Sequence, residues 1–124
     1  MWQADLRYIL LVYRDEKMWE EMSPQQRVAA YEEAVEFSDE LRKRGVYHGG
    51  NPLEHVSTAT TVRMKHGKPV ITDGPFAETK EALGGYSIVE AKDLDEILEM
   101  VKRHPLVRAG LSIEVRPLRE GPPK

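Results

Sequence analysis

The chain has 124 residues, with 18 Lys and Arg against 21 Asp and Glu, a formal net charge of -3 at pH 7 and no cysteine. This length is typical of one domain that buries a core without covalent staples. Disulfides, thiolate nucleophiles and cysteine-ligated zinc are excluded. The sequence has no cluster of basic residues of the kind that binds nucleic acids. It also has no apolar run close to the roughly 18 residues of a membrane-spanning helix. We expect a cytoplasmic protein without a direct nucleic-acid partner or a membrane segment.

The first predicted elements are a strand over residues 5–14, DLRYILLVYR, and a long helix over residues 23–45. Both alternating faces of the strand carry apolar side chains, so both need cover. Ser23 is the expected N-cap of the helix, Gln26 completes a capping box, and Gly45 lies just past the helix end. Apolar residues recur along this helix at helical spacing, which predicts one face against a sheet.

The second half of the chain completes an α+β pattern. In order, we predict a short strand from residue 46, a hairpin turning at His66 and Gly67, a strand over 84–91, the helical segment DLDEILEMVKRHP, and a strand over 111–118. Asp93 is the expected N-cap of the second helix, whose apolar stripe includes Leu94 and Leu98. This order is a ferredoxin-like split βαβ skeleton with a β-hairpin insertion.

The apolar outer face of the first strand bears on the oligomeric state. If the helices cover one face of the sheet, the other face is buried against a second copy, which predicts a homodimer packed sheet to sheet. The alternative is a monomer in which the hairpin insertion folds back over that face.

The segment DGPFAETKE at residues 73–81 resembles the DGPF branch of the YCII-related proteins. The segments YILLVYRDE, STATTVR, LGGYSIVEA, RHP and IEVRPL agree with that family along nearly the whole chain. The resemblance implies one domain of the dimeric α+β barrel type. We place that domain at residues 1–118 and expect a flexible tail at 119–124.

The resemblance implies less about activity. Better-known YCII-related proteins place a histidine on the first helix near an aspartate that precedes the proline after the second helix. In this chain the first helix has no histidine, its nearest candidates are Tyr31 and Glu32, and His104 precedes Pro105. The family's dyad therefore does not carry over intact. Proteins of this branch also occur beside sigma factors of the extracytoplasmic-function class, which implies a regulatory pathway.

The predicted catalytic residues are Asp73, His104 and Lys80. Asp73 is either a general base or ligand anchor, or only a turn residue whose carboxylate bonds a backbone N–H two residues on. His104 is either an acid–base partner or a cap at a helix C-terminus, where the helix dipole favours its cationic form. Lys80 would stabilise developing negative charge.

The predicted ligand-binding residues are Tyr13, Tyr31, Glu78 and Tyr86, although the tyrosines also fit an ordinary core. The four histidines lack metal-ligand spacing, so we predict no metal. The Gly-Gly pairs at 49 and 84 do not form a phosphate-binding loop, and we predict no cofactor. Two hypotheses follow. The first is a small dimeric ligand-binding protein or enzyme that performs acid/base chemistry on a small organic molecule in a cleft near the DGPF loop. The alternative is a non-catalytic regulatory or assembly module in a sigma-factor pathway.

Overall fold

Strands and helices alternate along residues 5–122, the part of the chain that the computed structural model describes. In chain order the elements are β1 (Leu6–Asp15), α1 (Glu16–Glu21), α2 (Pro24–Lys43), β2 (Tyr47–Pro52), a 3-10 turn (Val56–Thr58), β3 (Thr60–Lys65), β4 (Lys68–Asp73), β5 (Glu81–Ala91), α3 (Leu94–Lys102), α4 (Pro105–Arg108) and β6 (Ser112–Pro117). Residues 123 and 124 of the predicted tail lie outside the described residues. None of the helices described is long and apolar enough to cross a membrane.

The sheet has the strand order of a split βαβ skeleton. Its order is β2-β5-β1-β6, and each neighbouring pair is antiparallel. Strands β3 and β4 form a separate two-stranded hairpin inserted between β2 and β5. The ferredoxin-like α+β prediction, with its hairpin insertion, is confirmed.

The hydrophobic core lies between the sheet and the helices on one of its faces. Its buried side chains come from β1, β5, α2 and α3: Tyr8, Leu10, Leu41, Val89, Ala91, Ile97, Met100 and Val101. On α3 the predicted stripe is partly wrong, because Leu94 and Leu98 are exposed while Met100 is buried. The buried face is centred on Ile97, which places the positions three and four residues later against the sheet.

The local signals of α2 and of the hairpin turn are confirmed. The Ser23 hydroxyl accepts from the backbone N–H of Gln26 at 3.1 Å, and the Gln26 side chain accepts from the Ser23 N–H at 2.8 Å. Gly45 has a φ of 75° just past the helix, and His66 and Gly67 have φ values of 51° and 77°. Positive φ at both central residues is the geometry of a tight hairpin turn.

Helix α1 is not anticipated by the sequence pattern. The Asp15 carboxylate accepts from the backbone N–H groups of Lys17 and Met18 at 3.0 and 3.2 Å, which begins the helix directly after β1. From α2, the Arg27 guanidinium donates to the carbonyls of Trp19, Glu20 and Met22, at 3.2, 3.2 and 2.9 Å. Helix α1 is therefore fixed by contacts with α2.

The second face of the sheet is open in one copy of the chain. Ile9 and Leu11 of β1 and Ile88 of β5 lie on this face, opposite the core. The hairpin insertion leaves Val62, Met64 and Ile71 more than half exposed, at 63%, 67% and 73%. The insertion is therefore not folded back over the sheet, contrary to the monomer alternative.

Candidate functional site

A cavity of about 350 Å³ lies between α2 and the sheet, and we call it the α2 cavity. Helix α2 contributes Tyr31, Ala34, Val35, Ser38 and Arg42 to its lining. The exposed apolar residues Tyr31 and Val35 therefore border the cavity instead of completing the core. Strands β1, β2 and β5 supply the opposite wall, and His104 lies at one end of α4 beside it.

Two glycines shape the strand side of the cavity. A Cβ at Gly50 would overlap the Tyr86 carbonyl oxygen and stand 2.7 Å from the Ser87 Cα, so glycine lets β2 approach β5 closely. Gly84 lies at a bulge, where the register of β1 against β5 shifts between Val12 and Tyr13. At these two positions the cavity is therefore bordered by the strand backbone and not by a side chain.

His104 is a buried, neutral histidine that lines the cavity. Its side chain is 7% exposed, and burial lowers its pKa to about 4. Its Nδ1 accepts from the backbone N–H of Leu106 at 3.1 Å, so the proton of the neutral ring lies on Nε2. Within residues 5–122, Nε2 has no hydrogen-bond partner. His104 can therefore donate a hydrogen bond to a ligand at neutral pH.

The interpretation of His104 as a C-terminal cap with a favoured cation is wrong. Helix α3 ends at Lys102, and His104 caps the start of α4, with Pro105 as the first residue of that helix. The ring also packs against Phe37, with 4.7 Å between ring centroids. Burial disfavours the cation, so the neutral form dominates.

Arg14 of β1 also lines this cavity. It follows Tyr8, Leu10 and Val12 on the core-facing side of β1, and its side chain is only 13% exposed. Its guanidinium lies over the Trp19 ring, 5.1 Å from the ring centroid, in cation–π geometry. Its Nε lies 3.6 Å from Glu16 Oε2, an ion-pair distance beyond a good hydrogen bond.

Glu16 continues into a cluster with Glu20 and His55. His55 Nε2 lies 2.8 Å from Glu20 Oε1 and 3.3 Å from Glu16 Oε2, and the three ligand atoms are within 4.8 Å of one another. Such a donor set can suit a divalent cation. The Ser57 N–H, however, donates to His55 Nδ1 at 3.1 Å, which leaves the proton of a neutral ring on Nε2. The cluster therefore fits a histidine–carboxylate network better than a metal site.

The predicted site residues divide into two groups. Tyr31 and His104 line the α2 cavity, whereas Asp73, Glu78 and Lys80 do not. Tyr86 borders the cavity at a strand position opposite Leu11, so its side chain lies on the open face of the sheet. Asp73, Glu78 and Lys80 are exposed, at the end of β4 and in the loop before β5. Their functional roles stay predictions.

Tyr13 also lies away from the cavity lining. It pairs with Ser112 of β6 on the open side of the sheet, and its hydroxyl donates to Glu114 at 3.1 Å. Desolvation and this carboxylate raise its pKa. Its role as a ligand-binding residue stays a prediction.

The DGPF turn is fixed by hydrogen bonds to its backbone groups. The Gly74 N–H donates to the Ala59 carbonyl at 2.7 Å, and the Thr61 hydroxyl donates to the Gly74 carbonyl at 2.8 Å. Arg63 donates to the Phe76 carbonyl. The expected bond from Asp73 to the residue two positions on does not form, because that residue is Pro75, which has no N–H.

A second hollow, of about 260 Å³, lies against the hairpin. Its lining is Thr61, Arg63, Lys65, Val70, Thr72 and Pro75. It is the hollow closest in sequence to the DGPF segment, yet it lacks the buried titratable group that His104 supplies to the α2 cavity. We therefore base the functional argument on the α2 cavity.

The fold and the cavity define a ferredoxin-like α+β protein with a ligand-sized space between its long helix and its sheet. Residues 6–120 match the YCII-related domain, and the chain belongs to the YCII-related family. An uncharacterised protein of Rhizobium meliloti (strain 1021) is 30% identical over 112 residues, which cover 90% of each chain.

A solved structure has the same fold. It is the 5-chloro-2-hydroxyhydroquinone dehydrochlorinase TftG from Burkholderia phenoliruptrix AC1100, in complex with 2,5-dihydroxybenzoquinone. The similarity covers 92% of this chain and 95% of that chain, with a TM-score of 0.50 and 21% sequence identity. A similarity at this level of identity shows the fold alone.

Proposed function

We propose that the protein binds a small, ring-shaped organic molecule in the α2 cavity and promotes acid/base chemistry on it. The observation that carries the proposal is the buried, neutral His104, whose Nε2–H has no partner among residues 5–122. A neutral imidazole donor in a partly dry site can stabilise an oxygen on which negative charge develops. His104 then acts as a hydrogen-bond donor to the reacting ligand.

The dimensions and lining of the cavity support this function. Its volume of about 350 Å³ falls within the range of small-molecule sites. The lining combines aromatic and aliphatic side chains with a few polar groups, among them Tyr31, Ser38 and Arg42. Such a mixture favours a flat molecule with polar substituents over a long apolar chain.

The solved structure with the same fold supplies a first probe. TftG is described in complex with 2,5-dihydroxybenzoquinone, a single ring with four oxygen atoms. Because the two chains share only 21% identity, the fold supports a ring-sized ligand and not a particular substrate. The probe therefore tests the cavity and does not assign its natural ligand.

The experiment is a titration of the protein with 2,5-dihydroxybenzoquinone, followed by calorimetry and by amide NMR shifts. We expect saturable binding with shifts at Tyr86 and His104. His104→Phe keeps a ring against Phe37 but removes both nitrogens, and it should weaken binding about tenfold, the value of one hydrogen bond. Asp73→Asn is the matched variant at the DGPF turn, and we expect it to bind like the wild type.

Two results would overturn the proposal. If Asp73→Asn weakens binding and His104→Phe does not, the site lies at the DGPF loop. If neither the quinone nor a small set of related ring compounds binds at millimolar concentration, the cavity is not a ligand site. The second result would leave the regulatory alternative standing.

We further propose that two copies associate through the open face of the sheet, where Ile9, Leu11 and Ile88 are half-buried in one copy. A sheet face with apolar side chains favours a partner surface of the same kind. We also retain a cytoplasmic location as a proposal, which a chain without cysteine fits.

A further inference from the structure

We infer that the ligand of the α2 cavity carries an anionic oxygen group, either a carboxylate or an ionised phenol, and that Arg14 binds this group. The inference rests on the proposed function, because it names the chemical class of the ligand at the same site. It adds a binding residue outside the predicted site set.

The hydrogen-bonding state of Arg14 is the first observation. A guanidinium has five N–H donors and a fixed positive charge. In the part of the chain described, the Arg14 side chain makes no hydrogen bond, and its Nε is buried without an acceptor. The Nε faces Glu16 and is closed off from the cavity, so a ligand can reach only the Nη groups, which have no acceptor among the described residues. Buried polar groups are normally paired, so a charged donor left unpaired at a cavity wall indicates a missing acceptor.

Glu16 does not satisfy Arg14. Its Oε2 lies 3.6 Å from Arg14 Nε, and the same oxygen lies 3.3 Å from His55 Nε2. Both Glu16 carboxylate oxygens are themselves buried without a hydrogen bond. Glu16 therefore offsets part of the charge of Arg14 and occupies the side of its Nε, and it leaves the Nη donors available.

The backbone and Trp19 hold Arg14 in place. A Cβ at Gly84 would stand 3.1 Å from both Arg14 Cδ and Arg14 Nε, so the glycine leaves room for the side chain to lie across β5. On its other side the guanidinium meets the Trp19 ring at 5.1 Å. A guanidinium held between a glycine and an indole loses little further entropy when it binds an anion.

Arg42, by contrast, already has a carboxylate partner within the chain. It also lines the cavity, but its Nη1 donates to Asp39 at 2.5 Å and its guanidinium lies over Tyr47 at 4.5 Å. Its side chain is 52% exposed, so water competes for its charge. Arg42 is therefore the weaker of two arginines that could bind an anion in the cavity, and its variant tests that alternative.

The experiment compares ring compounds that differ in charge. Benzoate and benzamide test the carboxylate, and ionised 2,5-dihydroxybenzoquinone and neutral hydroquinone test the phenol-type oxygen. Affinities are measured by calorimetry for the wild type, Arg14→Gln and Arg42→Gln. We expect the wild type to prefer the anionic member of at least one pair, and Arg14→Gln to lose about 10- to 100-fold of that affinity, as for a charge-assisted hydrogen bond.

Arg14→Gln leaves Glu16 without its nearest cation and can impair folding, so the double variant Arg14→Gln with Glu16→Gln is measured beside it. The double variant should bind the neutral compounds normally and the anions weakly, while Arg42→Gln should lose less of the preference than Arg14→Gln. If Arg42→Gln loses more, Arg42 binds the anion and the inference fails. If charged and neutral compounds bind the wild type equally, or if both Arg14 variants keep the preference, the inference fails and the proposed function stands. If no ring compound binds, the proposed function fails first.

Discussion

Acidification should destabilise this protein through His104. The ordinary pKa of a histidine is 6.5, and burial lowers the pKa of His104 to about 4 in the folded chain. Between these two values the unfolded chain binds a proton that the folded chain does not. Stability therefore rises with pH across this window and is lost as the pH falls from 6.5 towards 4.

The size of the effect follows from the two pKa values. A difference of one pKa unit corresponds to about 1.4 kcal/mol. Integrated from pH 7 to pH 4, the shift of His104 contributes a loss of about 3 kcal/mol in the free energy of unfolding. Because small domains are stable by only about 5–15 kcal/mol, a loss of this size is readily measured.

The measurement is urea unfolding at a series of pH values for the wild type and His104→Asn. Asparagine is a good N-cap, so this variant keeps an acceptor at the start of α4 and removes the titrating group. Carboxylates contribute equally to both proteins, so the difference between the two curves isolates His104. Parallel curves, or an NMR titration that places the His104 pKa near or above 6.5, would refute the argument from burial.

Three further variants test the helix cap, the strand contact and the open face of the sheet. Ser23→Ala removes the N-cap of α2 and should cost about 1 kcal/mol of unfolding free energy in urea, and an unchanged midpoint would contradict the capping argument. Gly50→Ala places a Cβ 2.7 Å from the Ser87 Cα and should cost about 2 kcal/mol or more, whereas a wild-type Tm would show that β2 can shift. Leu11→Glu should yield monomers in sedimentation velocity, while Leu98→Glu, on α3, should not; dimers that survive Leu11→Glu would exclude this face as the interface.

Most of the fold could be predicted because its signals are local. The capping box of Ser23 and Gln26 and the positive φ values at His66 and Gly67 depend on neighbouring residues only. Helix α1 depends instead on Arg27, which donates to its backbone carbonyls from a different element. A six-residue helix is not stable by its own propensity, so the pattern of its sequence carried little information.

The site was less predictable because it depends on three-dimensional placement. Tyr31 and His104 were identified by residue type, and tertiary packing brings both side chains to one cavity, whereas the register of β5 directs Tyr86 to the open face. Asp73 ends β4 of the inserted hairpin, which is separate from the main sheet. The distinctive DGPFAETKE sequence around Asp73 gives no information on how far this hairpin lies from the cavity. Arg14 did leave a signal, because it places a charge on the strand face whose three preceding side chains are buried.

Arg14 and His104 supply different kinds of donor to the cavity. Arg14 carries a permanent charge, while the pKa of His104, lowered to about 4, keeps that imidazole neutral at pH 7. A second cation would add another desolvation penalty beside a guanidinium that already lacks hydrogen bonds. A neutral imidazole N–H can instead stabilise negative charge that develops on a ligand oxygen. The guanidinium binds a group that is already charged in the free ligand. We therefore expect Arg14 variants to lower the affinity for anionic compounds in particular, and His104 variants to lower the affinity for charged and neutral ring compounds alike.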